Sequence, residues 1–428
     1  MKRLAVVLSL AVLFLVGCGG GGGNSPVEIV KSEPSHQALG TPTVLSVGAS
    51  GIVSDPNCVI KPTRKSNTYR SAVLDMRFDQ PDFNHMGNLV NSYNAVTLYI
   101  DKINCVGFDT VVFQTNTPID TVTGGLMLYD PDVSHYNRDK SIPQDFWPLV
   151  DYAKKKGLTV FIKLIPVNYI DDNAICPGCS KLPATFNVDT FFNTMATYEK
   201  QIAQQAQLHK VDGFYIGVYQ IGLDTAEYMP QWDRIISQVR SVYTGKLIYE
   251  SCYQCSTPVW GKIDIVALGM NDITTHVTSN LLDQFLADKI VLEFVSAVQK
   301  NFAQYAKLII IDSISINASG TADDLYAMSQ SGQTISHIKA NYPHQALALS
   351  VVFELAGAKL NNIVSGISFR EYMPWGNAVW IRHPNPTRQG DVNFNLVMSL
   401  GIDLYHNESA QTKLSEYLQK PWGYRTMN

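Results

Sequence analysis

The sequence predicts an α/β protein built as a single (β/α)8 barrel with elaborated loops. Three observations carry this. From Tyr69 onward, short runs rich in β-branched and aromatic residues alternate with amphipathic segments, the pattern of parallel strands joined by helices. Eight such strand-helix units can be traced. The turn after the first strand, Asp75-Met76-Arg77-Phe78-Asp79, lacks the glycines that a doubly wound nucleotide-binding sheet needs there.

The chain of 428 residues begins with an address rather than a fold. Met1-Lys2-Arg3 is positive and Leu4 to Val16 is apolar, too short to span a membrane and right for the core of a signal peptide. The run ends in Leu15-Val16-Gly17-Cys18, which looks like a bacterial lipobox. Residues 1–17 are therefore expected to be a removed leader, with Cys18 the lipidated residue. Acyl chains there would anchor the protein to a membrane. Gly19 to Gly23 reads as a flexible tether. Glycine after the cysteine fits sorting to the outer membrane, so the expected location is the cell envelope. Residues 18–67 form tether and N-terminal wrap, and 68–428 the barrel domain.

The strands follow in order. Ser71 to Phe78 is the first, and a helix over Ser92 to Val106 follows it. The second strand is Asp109 to Asn116, with a helix from Pro143 to Lys156 that Gly157 closes. Leu158 to Pro166 is the third, and Val188 to His209 its helix. Val211 to Gln220, VDGFYIGVYQ, is the fourth, and Glu227 to Tyr243 its helix. Lys246 to Ser251 and Lys262 to Met270 are the fifth and sixth. A helix over Ser279 to Gln304 leads to the seventh strand, Ala306 to Asp312. A helix over Ser329 to Gly357 leads to the eighth, Asn361 to Phe369. A last helix is expected near Asn393 to Leu404.

Composition excludes one class of partner. The formal net charge is −4, with 33 basic and 37 acidic residues and no basic stripe, so nucleic acid is not expected. The 21 tyrosines suit a surface on which sugars stack. No cofactor motif is present. Besides Cys18 there are six cysteines, Cys58, Cys105, Cys176, Cys179, Cys252 and Cys255. In an exported protein an even number favours disulfides. Cys58 with Cys105 would pin the wrap to the first helix. The two C-x-x-C pairs fall on the loops after strands three and five, where four thiolates at a structural zinc are the alternative.

The segment Trp232 to Tyr249, WDRIISQVRSVYTGKLIY, and the later VWGKIDIVAL resemble glycoside hydrolase family 113, a family of (β/α)8 β-mannanases. Ile216 and Gly217 match the start of the motif. Trp232, Ile236, Val239, Arg240, Tyr243, Gly245, Leu247 and Tyr249 match its helix and fifth strand, and Trp260 and Asp264 the next segment. The resemblance implies a carbohydrate-active barrel, but it breaks at the chemistry. The family's acid/base glutamate falls on Tyr219, and its nucleophile falls on Asp312. Strand four also echoes chitinase-like barrels at Asp212, Gly213 and Phe214, but the acids of that motif fall on Tyr215, Gly217 and Tyr219.

Retaining glycosidases need two carboxyl groups roughly 5 Å apart, at the C-terminal ends of barrel strands. Asp312 ends strand seven and is the candidate nucleophile. Glu250 ends strand five and is the candidate proton donor. Tyr219, as a nucleophile of the sialidase kind, is a third candidate. Asp75 and Arg77 after strand one, Trp260, and Glu371 and Trp375 after strand eight are candidates for sugar contact. Two functions remain open. One is a polysaccharide hydrolase of altered mechanism. The other is a barrel without activity that binds carbohydrate or serves in envelope polysaccharide assembly. A redox or metal role for the cysteine pairs is a third.

Overall fold

The computed structural model describes residues 68–75, 107–120, 123–125, 146–168, 185–269, 289–314 and 363–369. Isolated positions between 97 and 105 and between 353 and 360 are also described, as are two short strands near the C-terminus. The expected barrel is there. Eight strands close in sequence order, β1 (Tyr69–Asp75), β2 (Thr110–Ile119), β3 (Thr159–Asn168), β4 (Gly213–Val218), β5 (Lys246–Cys252), β6 (Ile265–Gly269), β7 (Leu308–Ile314) and β8 (Val364–Phe369). Every neighbouring pair is parallel, and β8 returns to β1.

Four helices among the described residues pack outside the strands: α1 (Phe146–Lys155), α2 (Val188–Leu208), α3 (Met229–Arg240) and α4 (Lys289–Tyr305). Each is amphipathic for a local reason. In α2 the buried positions are Phe191, Phe192, Met195, Ala196, Tyr198, Glu199, Ala203 and Ala206, one stripe at helical spacing. Its first turn is capped by Asn187, whose side chain accepts the Thr190 N–H at 2.9 Å. Gly157, at φ +79°, supplies the left-handed turn after α1. Pro230 sits in the first turn of α3, where a missing N–H costs nothing.

Two layers of side chains result. Ile162, Leu164, Phe214, Ile216, Leu247, Tyr249, Val266, Leu268, Ile309 and Ile311 face outward into the core shared with the helices. Tyr69, Val73, Val112, Phe161, Tyr215, Ile248, Ile265, Ala267 and Ile310 fill the bore.

The N-terminal rim is pinned by a repeated device. The aspartate just before β2, β4 and β6 accepts a backbone N–H of the strand before it. Asp109 takes Arg70 N at 2.8 Å, Asp212 takes Val160 N at 2.8 Å, and Asp264 takes Leu247 N at 2.8 Å. Lys154 and Arg240 pair with Asp212 and Asp264 respectively. A cavity of about 620 Å³ opens at this rim, among Lys210, Asp212, Arg240, Lys246 and Asp264. It lies at the end of the barrel that serves stability, away from the ends that carry chemistry.

The C-terminal segment departs from expectation. Ile402–Asp403 is a short strand, paired in parallel with Tyr372–Met373, where the sequence predicted the end of a helix. The rest of that segment, and most of the helix expected over Ser329 to Gly357, lie outside the described residues. No helix among the described residues is long and apolar enough to cross a membrane.

Candidate functional site

The strand register brings Glu250 and Asp312 to the same place. Glu250 shares its face of β5 with Ile248, and Asp312 shares its face of β7 with Ile310, so both point into the bore near the C-terminal ends of their strands. Between them lies a residue the sequence reading passed over. Lys163, on β3 between Phe161 and Ile165, points inward as well. Its ammonium makes an ion pair with Glu250 and a second with Asp312 at 3.4 Å. The hydroxyl of Tyr215, on β4, donates to the same Asp312 oxygen at 2.7 Å. The Tyr215 ring lies under the lysine, 5.1 Å from Nζ to its centroid. The cluster is closed to water: Glu250, Asp312 and Tyr215 are 0% exposed and Lys163 is 1%.

These four groups act as one. Burial, then the charges of Asp312 and Glu250, hold the Tyr215 phenol far above its ordinary value, so it stays a donor. One ammonium touches both carboxylates and holds them together. It also occupies the space between them.

Tyr219 follows directly on β4. Its backbone is left-handed, φ +53°, a conformation that costs a tyrosine free energy. Its N–H bonds the carbonyl of Glu250 at 2.8 Å. Its ring is half-buried against the bore. The turn that carries it is tied on several sides. Trp232 Nε1 donates to Leu223 O at 2.8 Å and Thr257 Oγ1 to Asp224 O at 2.7 Å. The Asp224 carboxylate accepts from Tyr249 at 3.1 Å. Burial raises the Asp224 carboxyl, against the lowering effect of its own hydrogen bonds, that from Tyr249 first.

The other candidates are placed less tellingly. Trp260 is fully buried, edge-on to Tyr305 at 6.0 Å. It belongs to the core outside the barrel, which corrects the expectation of a sugar contact: a 3-10 turn before β6 carries it inward. Asp75 is described by its backbone alone, paired with Gln114. Arg77, Glu371, Trp375, Cys18, Cys58, Cys176 and Cys179 lie outside the described residues. Cys252 and Cys255 are joined in a disulfide, which takes away half the ligands of a four-thiolate zinc site. Cys105 is disulfide-bonded too, to a partner outside the described residues. No cluster of three or more metal-binding side chains occurs among the described residues.

A model of Glycoside Hydrolase Family 113 matches residues 94–287. The chain resembles glycoside hydrolase family 113. Solved structures agree on the fold. A family 113 β-1,4-mannanase superposes with a TM-score of 0.52 at 15% identity, covering 83% of this chain and 99% of its own. The family 113 β-mannanase of Alicyclobacillus acidocaldarius gives 0.53 at 11%, over 82% and 97%. A family 5 mannosidase from Rhizomucor miehei gives 0.50 at 12%, over 82% and 92%. Among curated protein sequences, none matches this chain.

The structure explains what the family 113 motif does here. Its residues are scaffold. Arg240 bridges Gly245 O, at 2.5 Å, to the Asp264 carboxylate. Tyr243 donates to Val211 O at 3.0 Å, and its hydroxyl fills the space a side chain at Gly245 would need. Gly217 leaves room for the rings of Tyr249 and Trp232, which meet edge-on at 5.2 Å. The motif sets the outer face of β4 and β5; the chemistry belongs to the inner face.

Proposed function

We propose that this protein is a polysaccharide-directed lipoprotein whose glycosidase-like barrel binds its polymer without cleaving it. One observation carries the reading: Lys163 holds Glu250 and Asp312 together in a buried ion-paired cluster. Hydrolysis asks one carboxyl group to give a proton and the other to attack carbon. Here both are ion-paired to the same ammonium, and Asp312 accepts from Tyr215 besides. Such pairs are strong where water is excluded. The family 113 resemblance, which sets Tyr219 at the acid/base position, supports the same reading. The lipobox at Cys18 supports tethering to the envelope, with the outer membrane as the proposed site.

A hydrolytic second reading is favoured by one feature, the convergence of two carboxylates from β5 and β7 on one ammonium. Titration calorimetry tests the first reading. The soluble protein from Ser25 onward is expected to bind one polymer from a panel of β-mannans, β-glucans and amino-sugar polymers, with β-mannan first because the structural neighbours are mannanases. Absence of binding to every polymer would overturn it.

A further inference from the structure

At the end of the bore beside the Glu250–Lys163–Asp312 cluster, one half-buried side chain reaches to a glycine on another strand. The Tyr219 hydroxyl lies where a Cβ on Gly269 would stand, so that any side chain there would overlap it. Gly269 ends β6 on the inward face, after Ile265 and Ala267. It is in register with Cys252 on one side and Asp312 on the other. Tyr219 is bonded through its N–H to the Glu250 carbonyl of β5. Its ring therefore crosses the end of β5 from β4 to β6, above Glu250 and beside Asp312. The left-handed backbone at Tyr219 gives the ring this direction. A strained tyrosine and a glycine that accommodates it are two observations on separate strands, and they describe one object.

We propose that Tyr219 and Gly269 form a built-in plug that fills the space a sugar ring would take above the carboxylate pair. The plug sets the barrel to hold a polymer across its mouth and keeps each ring away from Glu250 and Asp312. This rests on the binding reading above, and deepens it by naming what separates binding from cleavage. Tyr219 is then a specificity-determining residue, and Gly269 the position that lets it act.

The plug can be tested without a sugar. The carboxylates are labelled with a water-soluble carbodiimide and glycinamide, and each site is read by mass spectrometry, with exposed Glu227 as the internal reference. Tyr219→Ala is expected to raise labelling of Glu250 and Asp312 about tenfold, since removing the ring opens a path through an otherwise close-packed interior. Gly269→Ala is expected to do the same by pushing the ring out, and Tyr219→Phe, which keeps the ring, to behave as the parent protein. Labelling that stays at the parent rate in Tyr219→Ala overturns the plug. Should Gly269→Ala fail to fold, the double variant with Tyr219→Ala is expected to fold again, because the new methyl then has room; a double variant that also fails overturns the pairing. Calorimetry on the same proteins keeps the two ideas apart. Loss of polymer binding by the parent protein removes the binding reading and leaves the labelling result standing.

Discussion

Lys163→Met is expected to lower the unfolding free energy by about 3–5 kcal/mol, the range seen when one partner of a buried ion pair is removed. The size follows from where the pair sits. Glu250 and Asp312 are fully buried, and the one ammonium serves both. Methionine fills the volume of the lysine stem and supplies no charge, so two carboxylates are left facing one another in a medium that solvates them poorly. Adding Glu250→Gln and Asp312→Asn to the lysine variant is expected to recover most of the loss. The charges that needed the ammonium are then gone. Urea unfolding of the parent, the single and the triple variant checks this. A single variant within about 0.5 kcal/mol of the parent, the scatter of ordinary surface changes, would mean that the cluster is not held by Lys163.

The second large effect concerns Glu199, on the buried face of α2. Its side chain is fully buried and neither oxygen has a hydrogen-bond partner. Burial raises its carboxyl well above the ordinary value of 4.5. A carboxyl raised in the fold gives stability that is fully present below its unfolded value and is lost as pH climbs toward its folded one. Glu199→Met removes that dependence and leaves no polar atom to satisfy. The variant is expected to gain on the parent progressively as pH rises above the ordinary carboxyl value of 4.5, with a limiting slope of about 1.4 kcal/mol per pH unit. Thermal unfolding across that range decides the matter. A gap that is constant with pH would place the effect in packing and not in the proton.

Much of the barrel was legible in the sequence because each strand advertises itself locally. Val, Ile and Phe in runs such as TVFIKLIP bury on both faces, and the segments between them carry one apolar stripe each. Strand ends were less legible. β2 runs on to Ile119 and β3 to Asn168, beyond the expected Asn116 and Pro166, because the two strands stay paired over ten residues. Ile402–Asp403 takes its strand conformation from Tyr372–Met373, a contact no local pattern announces.

The site divides in the same way. Asp312 and Glu250 stand out as acids at the ends of apolar strands, and the fold brings them together. Lys163 carried a signal too, a lone charge at the centre of an apolar strand, but its inward direction depends on register with β2 and β4. Tyr219 was visible as a residue. Its left-handed backbone and its dependence on Gly269 are properties of three strands at once. Trp260 shows the limit of reasoning from residue type. An aromatic that suits a sugar suits the core equally, and its own turn decides which it meets.

If Lys163 commits both carboxylates as proposed, the barrel holds a polymer without cutting it. The most direct measurement is release of reducing ends from β-mannans, β-glucans and amino-sugar polymers by the protein from Ser25 onward, beside its Asp312→Asn and Glu250→Gln variants. No turnover is expected on any polymer by any of the three proteins, with binding retained by the parent. Turnover by the parent that both substitutions abolish would contradict it, and would make Glu250 and Asp312 the working pair of a hydrolase.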